Sequence, residues 1–125
     1  MNLNNFTIKA QEMLQHAQQT AFNHQNPQIE TVHLLKSLLD DKDGPIQYLL
    51  KKNNVSLPFI EKKIDEQINR LPKQSTDNPA QNISRDLNNV LLRAGSSLKE
   101  FGDEFVTPEH LLIGITQVND ETSKM

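Results

Sequence analysis

The 125-residue chain has no cysteine and no tryptophan, and only four glycines, one tyrosine and five phenylalanines. Without cysteine there is no disulfide framework, no thiol nucleophile and no thiolate-held metal, a usage compatible with a reducing compartment. No stretch approaches the roughly 20 apolar residues of a membrane-spanning helix. The start, Met1-Asn2-Leu3-Asn4-Asn5-Phe6, lacks the basic and apolar regions of a secretory signal. Charge of one sign is missing too: 13 Lys and Arg are interspersed with 16 Asp and Glu, net −3. That leaves no electrostatic footprint for nucleic acid or an anionic membrane. None of Gly44, Gly95, Gly102 and Gly114 lies in a Gly-x-x-x-x-Gly-Lys-Ser/Thr loop, so the chain itself is not expected to bind or hydrolyse ATP. A cytoplasmic protein is the default expectation.

What is present is helical periodicity. At this length folding removes roughly two thirds of the unfolded chain's surface from water, enough for a core without staples. Phe6, Ala10, Met13, Leu14, Ala17, Ala21 and Phe22 recur at three- and four-residue spacings behind Thr7, a candidate N-cap, and predict a first helix. A second is expected over Thr31–Leu39 and a short third from Pro45 through Lys52, where proline fits the first turn. A fourth covers about Pro58 to Arg70 behind Ser56, with Phe59, Ile60, Ile64, Ile68 and Leu71 as its buried stripe. Residues 73–82 are polar, contain Pro79, and read as a connection. A fifth helix begins after Ser84, its expected N-cap, and runs to about Phe101 with Leu87, Val90, Leu91, Ala94 and Leu98 on one face, and Gly102 ends it. Thr107 caps a sixth, with Pro108 at its first position and Glu109 in its first turn. No segment shows the alternation of a strand.

Sliding the chain against itself by 77 positions aligns its halves without a gap over more than thirty residues. Phe6-Thr7 meets Ile83-Ser84, Ala10 meets Leu87, Met13-Leu14 meets Val90-Leu91, and His33-Leu34-Leu35 meets His110-Leu111-Leu112. Caps and stripes coincide, which predicts an all-α, pseudo-two-fold bundle of two four-helix repeats. The first repeat takes residues 1–72 and the second 83–125. The second would stop in the first turn of its third helix, so the chain is expected to be a piece of a longer protein.

The candidate chemical motifs are weak. Glu30-x-x-His33 has the spacing of a bundle metal site, but the second copy offers Thr107 in place of Glu30, and capping and packing explain the motif better. His16 and His24 have no third ligand. Ser84, Ser96 and Ser97 have no positioned histidine and carboxylate. No catalytic, metal or cofactor-binding residue is expected. Glu100, Asp103, Glu104 and Glu109 form an acidic group around the turn between the last two helices.

The stretches Phe6-Thr7-Ile8-Lys9-Ala10-Gln11-Glu12, Ile29-Glu30-Thr31-Val32-His33-Leu34-Leu35, Leu49-Leu50-Lys51-Lys52-Asn53-Asn54-Val55 and Ser97 through Val106 resemble the amino-terminal Clp repeat domain of the Clp ATPases, most closely that of the ClpB-type disaggregases. The resemblance implies a domain tethered to two AAA+ ATPase modules of a homohexameric parent, with ATP a cofactor of the parent only. It implies unfolded or aggregated client proteins as partners, a DnaK-type chaperone acting with the parent, and no nucleic acid or membrane; the piece itself is expected to be a monomer. A substrate groove between the first helix and the fifth-to-sixth helix region is carried over onto Thr7, Asp103 and Glu109, with Leu91, Phe105 and Leu111 as apolar contributors. Arg93, Ser97 and His110 stand where some members present leucines, and are expected to make the groove more polar. The alternative is the adaptor- or degron-docking domain of a protease-coupled Clp ATPase.

Overall fold

The computed structural model describes residues 6–40, 45–54, 56–73, 82–101 and 105–117. Six helices carry the fold: α1 (Ile8–Asn23), α2 (Thr31–Asp40), α3 (Pro45–Lys52), α4 (Leu57–Arg70), α5 (Arg85–Phe101) and α6 (Pro108–Gln117). The expected caps form. The Thr7 Oγ1 accepts from the Ala10 amide at 3.1 Å, and the Ser84 Oγ accepts from the Leu87 amide at the same distance. Ser56 caps α4 through the Phe59 amide. Each cap satisfies one of the amides a helix start leaves without an internal partner.

α1 packs on α2 and α5 on α6, and the two hairpins are joined through contacts of α2 and α1 with α6 and of α2 with α5. The stripes meet in one core containing Ala10, Leu14, Ala17, Leu34, Leu38, Leu87, Val90, Ala94 and Leu111, which α4 and α3 close over α2. Burying each larger aliphatic side chain contributes about 1.5–3 kcal/mol. Gln47 Nε2 donates to the Leu39 carbonyl, fastening α3 to the end of α2.

Two features differ from the sequence reading. Strand pairing is present, in pieces too short to show alternation: β1 (Gln28–Ile29) lies parallel to β2 (Asn82–Ile83), so Asn82, read as the last residue of the connection, is paired. An isolated parallel bridge joins Phe6 to Val106. Second, Phe59 is 53% exposed, and the buried line of α4 is instead Leu57, Ile64 and Ile68. At about 100° per residue, Phe59 sits some 200° from Leu57, on the solvent side. Phe22, at the end of α1, is likewise half-exposed.

The duplication is visible as exchanged contacts. The Thr7 amide donates to the Val106 carbonyl at 2.9 Å, and the Ser84 amide donates to the Ile29 carbonyl at 2.9 Å. Shifting the first bond by 77 positions on the donor and by the reverse on the acceptor gives the second. This reciprocity is that of an isologous two-fold interface, here within one chain.

Candidate functional site

The starts of α2 and α6 are built alike, and the histidine of each copy explains how. In both, the third helical residue reaches back: His33 Nδ1 accepts from the Glu30 amide at 2.8 Å, and His110 Nδ1 accepts from the Thr107 amide at 2.9 Å. This is the geometry of a capping box with histidine in the place usually held by glutamate or glutamine. His33 Nε2 lies 2.8 Å from the Asn26 Oδ1, and the Asn26 Nδ2 donates to the Pro72 carbonyl at 3.0 Å. The only consistent assignment is a neutral ring protonated on Nε2, donating to Asn26. Burial, with a smaller contribution from His24, lowers the His33 pKa to about 4. Both ring nitrogens are thus committed to protein partners, so the Glu30-x-x-His33 spacing serves helix capping. Among the described residues no group of three or more His, Cys, Asp or Glu side chains could hold a metal ion.

The copies diverge on their surface. In the first, Val32 and Asn26 are fully buried. The positions 77 residues on are Glu109, half-buried in the first turn of α6, and Asp103, which lies outside the described residues. A carboxylate in that turn is stabilised by the helix dipole. Beside Glu109, the bridge from Phe6 to Val106 brings the start of α1 against the start of α6. Thr7 is half-buried there, its hydroxyl used in capping and its amide bonded to Val106. Phe105, immediately before the bridge, is 51% exposed. The structure therefore brings Thr7, Phe105 and Glu109 into one neighbourhood.

Leu91 and Leu111 are buried core residues. His110 is buried as well, which corrects the expectation that it adds polarity to the groove surface: its ring is turned inward to hold the start of α6. Arg93 is exposed on α5; Ser97 lies on that helix with its side chain outside the described part. Two residues that sequence reasoning passed over are Ile8, 76% exposed next to Thr7, and Leu92, exposed on α5. The signal was available, since both are apolar residues falling off the stripes of their own helices.

Among the described residues no helix is long and apolar enough to cross a membrane. The sequence model of the Clp repeat (R) N-terminal domain matches residues 5–125. Chaperone protein ClpB 2 of Nostoc sp. is 39% identical over 112 residues, covering 90% of this chain and 13% of its own length. Chaperone protein ClpB of Bacteroides thetaiotaomicron is 35% identical over 123 residues, covering 98% of this chain and 14% of its own. The chain thus spans about one seventh of the length of these relatives. Among solved structures, the Hsp104 N-terminal domain from Candida albicans superposes with a TM-score of 0.81 at 20% identity, covering 92% of this chain and 75% of that one. A ClpV N-domain in complex with VipB peptide superposes with a TM-score of 0.76 at 16% identity, covering 98% of this chain and 79% of that one. With the doubled caps, the exchanged strand pairs and these matches in hand, the chain belongs to the Clp repeat (R) N-terminal domain family.

Proposed function

We propose that this domain captures unfolded or aggregated polypeptide for a ClpB-type disaggregase, at a surface formed by Thr7, Ile8, Phe105 and Glu109, with Asp103, outside the described residues, as a further contributor carried over from the family resemblance. Leu91 and Leu111 support that surface from the core. The observation that carries the reading is the asymmetry between the copies: a half-buried carboxylate, Glu109, stands at the start of α6 where the first copy has buried Val32, and Ile8 and Phe105, next in sequence to the bonded Thr7 and Val106, are exposed. Apolar contacts favour segments that folded proteins hide, and the carboxylates favour basic flanking residues. The ClpV N-domain solved with a peptide supports a peptide-binding role for this fold.

The domain itself is non-catalytic in this reading, and ATP belongs to AAA+ modules of a hexameric cytoplasmic parent, which a DnaK-type chaperone assists. Single-domain affinity is weak, and six copies in a ring raise it through effective concentration. We read the chain as a first unit of residues 1–72 and a second unit that opens with β2 at Asn82.

The test is binding of a carboxymethylated, permanently unfolded protein by isothermal calorimetry. Asp103→Ala with Glu109→Ala should weaken binding about tenfold while the far-ultraviolet helical signal stays unchanged. Unaltered affinity in a folded double variant sinks the site. Binding only to folded adaptor proteins, with none to the unfolded client, replaces the capture role with adaptor docking.

A further inference from the structure

A second face of the domain has the opposite character. α3 and α4 are joined by a four-residue connection and pack against each other. Their outward sides carry two aromatic rings that the core does not use: Tyr48 is 64% and Phe59 53% exposed. On each helix a lysine four residues later is held over the ring, Lys52 Nζ 5.9 Å from the Tyr48 centroid and Lys63 Nζ 5.5 Å from that of Phe59. Lys51 and Lys62 are exposed beside them. Glu66 approaches Lys63 at 3.9 Å, while the exposed Glu61 and Asp65 lie on the flank of α4 toward α2, where Asp65 pairs with Lys36 at 3.4 Å; the ring-bearing side itself therefore carries four ammonium groups and one carboxylate. The helical register explains the arrangement: Ile46 and Gln47 turn α3 inward and Leu57, Ile64 and Ile68 turn α4 inward, leaving the Tyr48–Lys52 and Phe59–Lys63 pairs on the far side of each.

We propose that this α3–α4 face docks an acidic protein segment that also bears apolar side chains. Exposed rings are costly to keep in water and are characteristic anchors of protein interfaces. A lysine lying over a ring keeps its ammonium within reach of an incoming carboxylate, Lys63 by exchanging its 3.9 Å contact with Glu66, while its stem and the ring form one apolar shelf. A basic shelf selects acidic segments and repels basic ones. This is the reverse of the Glu109 surface, so two partners of opposite charge can be held at once. Nucleic acid is disfavoured, because a chain of net charge −3 lacks the field that drives phosphate binding. The inference does not rest on the client reading, since no residue is shared.

The experiment is a nitrogen-15 NMR titration of the chain with a synthetic peptide alternating glutamate with leucine and phenylalanine. The same peptide with lysine for glutamate and a short oligothymidylate serve as the other arms. The acidic peptide should move amide signals of 46–52 and 57–66 and weaken steeply with salt. Lys52→Glu with Lys63→Glu should lower its affinity about tenfold and admit the basic peptide. Tyr48→Ser with Phe59→Ser should lower it with the charge intact. These sites are exposed, so helicity should persist in both variants. The proposal is overturned if the acidic peptide leaves α3 and α4 unmoved, if the charge reversal leaves its affinity unchanged, or if the oligonucleotide displaces it from this face.

Discussion

His33 has to stay uncharged for the first copy to hold together. Its Nδ1 faces the Glu30 amide hydrogen and its Nε2 proton is given to Asn26, so a second ring proton has no acceptor. In the unfolded chain the ring titrates near 6.5 and in the folded one near 4. Between those values the unfolded state binds more protons, so stability is whole above pH 6.5 and falls as pH drops toward 4, by about 3 kcal/mol in total at 1.36 kcal/mol per unit. His33→Gln keeps a capping acceptor but cannot titrate. Urea midpoints at pH 7 and pH 4.5 should differ less for this variant than for the parent, and an equal difference would remove His33 from the account. Gln25 is a second residue under constraint. It sits at φ 56 in the turn closing α1, where the Asn26 amide donates to the Ala21 carbonyl and the Gln25 amide to that of Phe22. That turn favours glycine, and the second copy has Gly102 at the corresponding position, outside the described residues. Gln25→Gly should raise stability by about 0.5–1 kcal/mol in chemical denaturation.

Helix starts were the most legible elements, because Thr7, Ser56, Ser84 and Thr107-Pro108 each combine a capping side chain with the apolar run behind it. The strands were not legible, since two residues cannot show a period of two and the pairing of Ile29 with Ile83 is a tertiary event. Phe59 misled for a related reason: hydrophobicity placed it in the stripe, and only the register set by Leu57 turned it outward. Element packing also separates the copies. Ser37 on α2 donates its hydroxyl to the Met13 carbonyl at 2.7 Å. The corresponding position on α6 is Gly114, where an added Cβ would lie 2.7 Å from the Val90 carbonyl oxygen. At this position α6 approaches the α5 backbone too closely to admit a Cβ. Gly114→Ala should therefore push the helices apart and cost about 1–3 kcal/mol, read as a lowered denaturant midpoint. Gly114→Ser should not recover it, because the Cβ alone makes the clash.

At the scale of the molecule, the duplication explains the fold, and the places where the copies differ motivate the proposed site. Two copies that exchange equivalent amide-to-carbonyl bonds make a frame whose halves support each other, and caps and core stripes are kept in both. Removing both equivalent caps, Thr7→Ala with Ser84→Ala, should cost about 2 kcal/mol, roughly the sum of the single losses, because the two caps lie at separate helix starts. The surface is where the copies part: Glu109 against Val32, Ile8 against Arg85, Phe105 against Gln28. Of the proposed client site, the sequence displayed Thr7, Phe105 and Glu109, and the fold added Ile8 and moved His110 inward.

Under the proposed function, only the second copy's helix start, with the beginning of α1 beside it, meets the client. An NMR titration of the chain with an unfolded client protein tests it residue by residue. Amide signals of Thr7, Ile8 and 105–109 should shift, while their counterparts Ser84, Arg85 and 28–32 stay in place. Equal shifts in both sets, or shifts confined to the first copy, would contradict it.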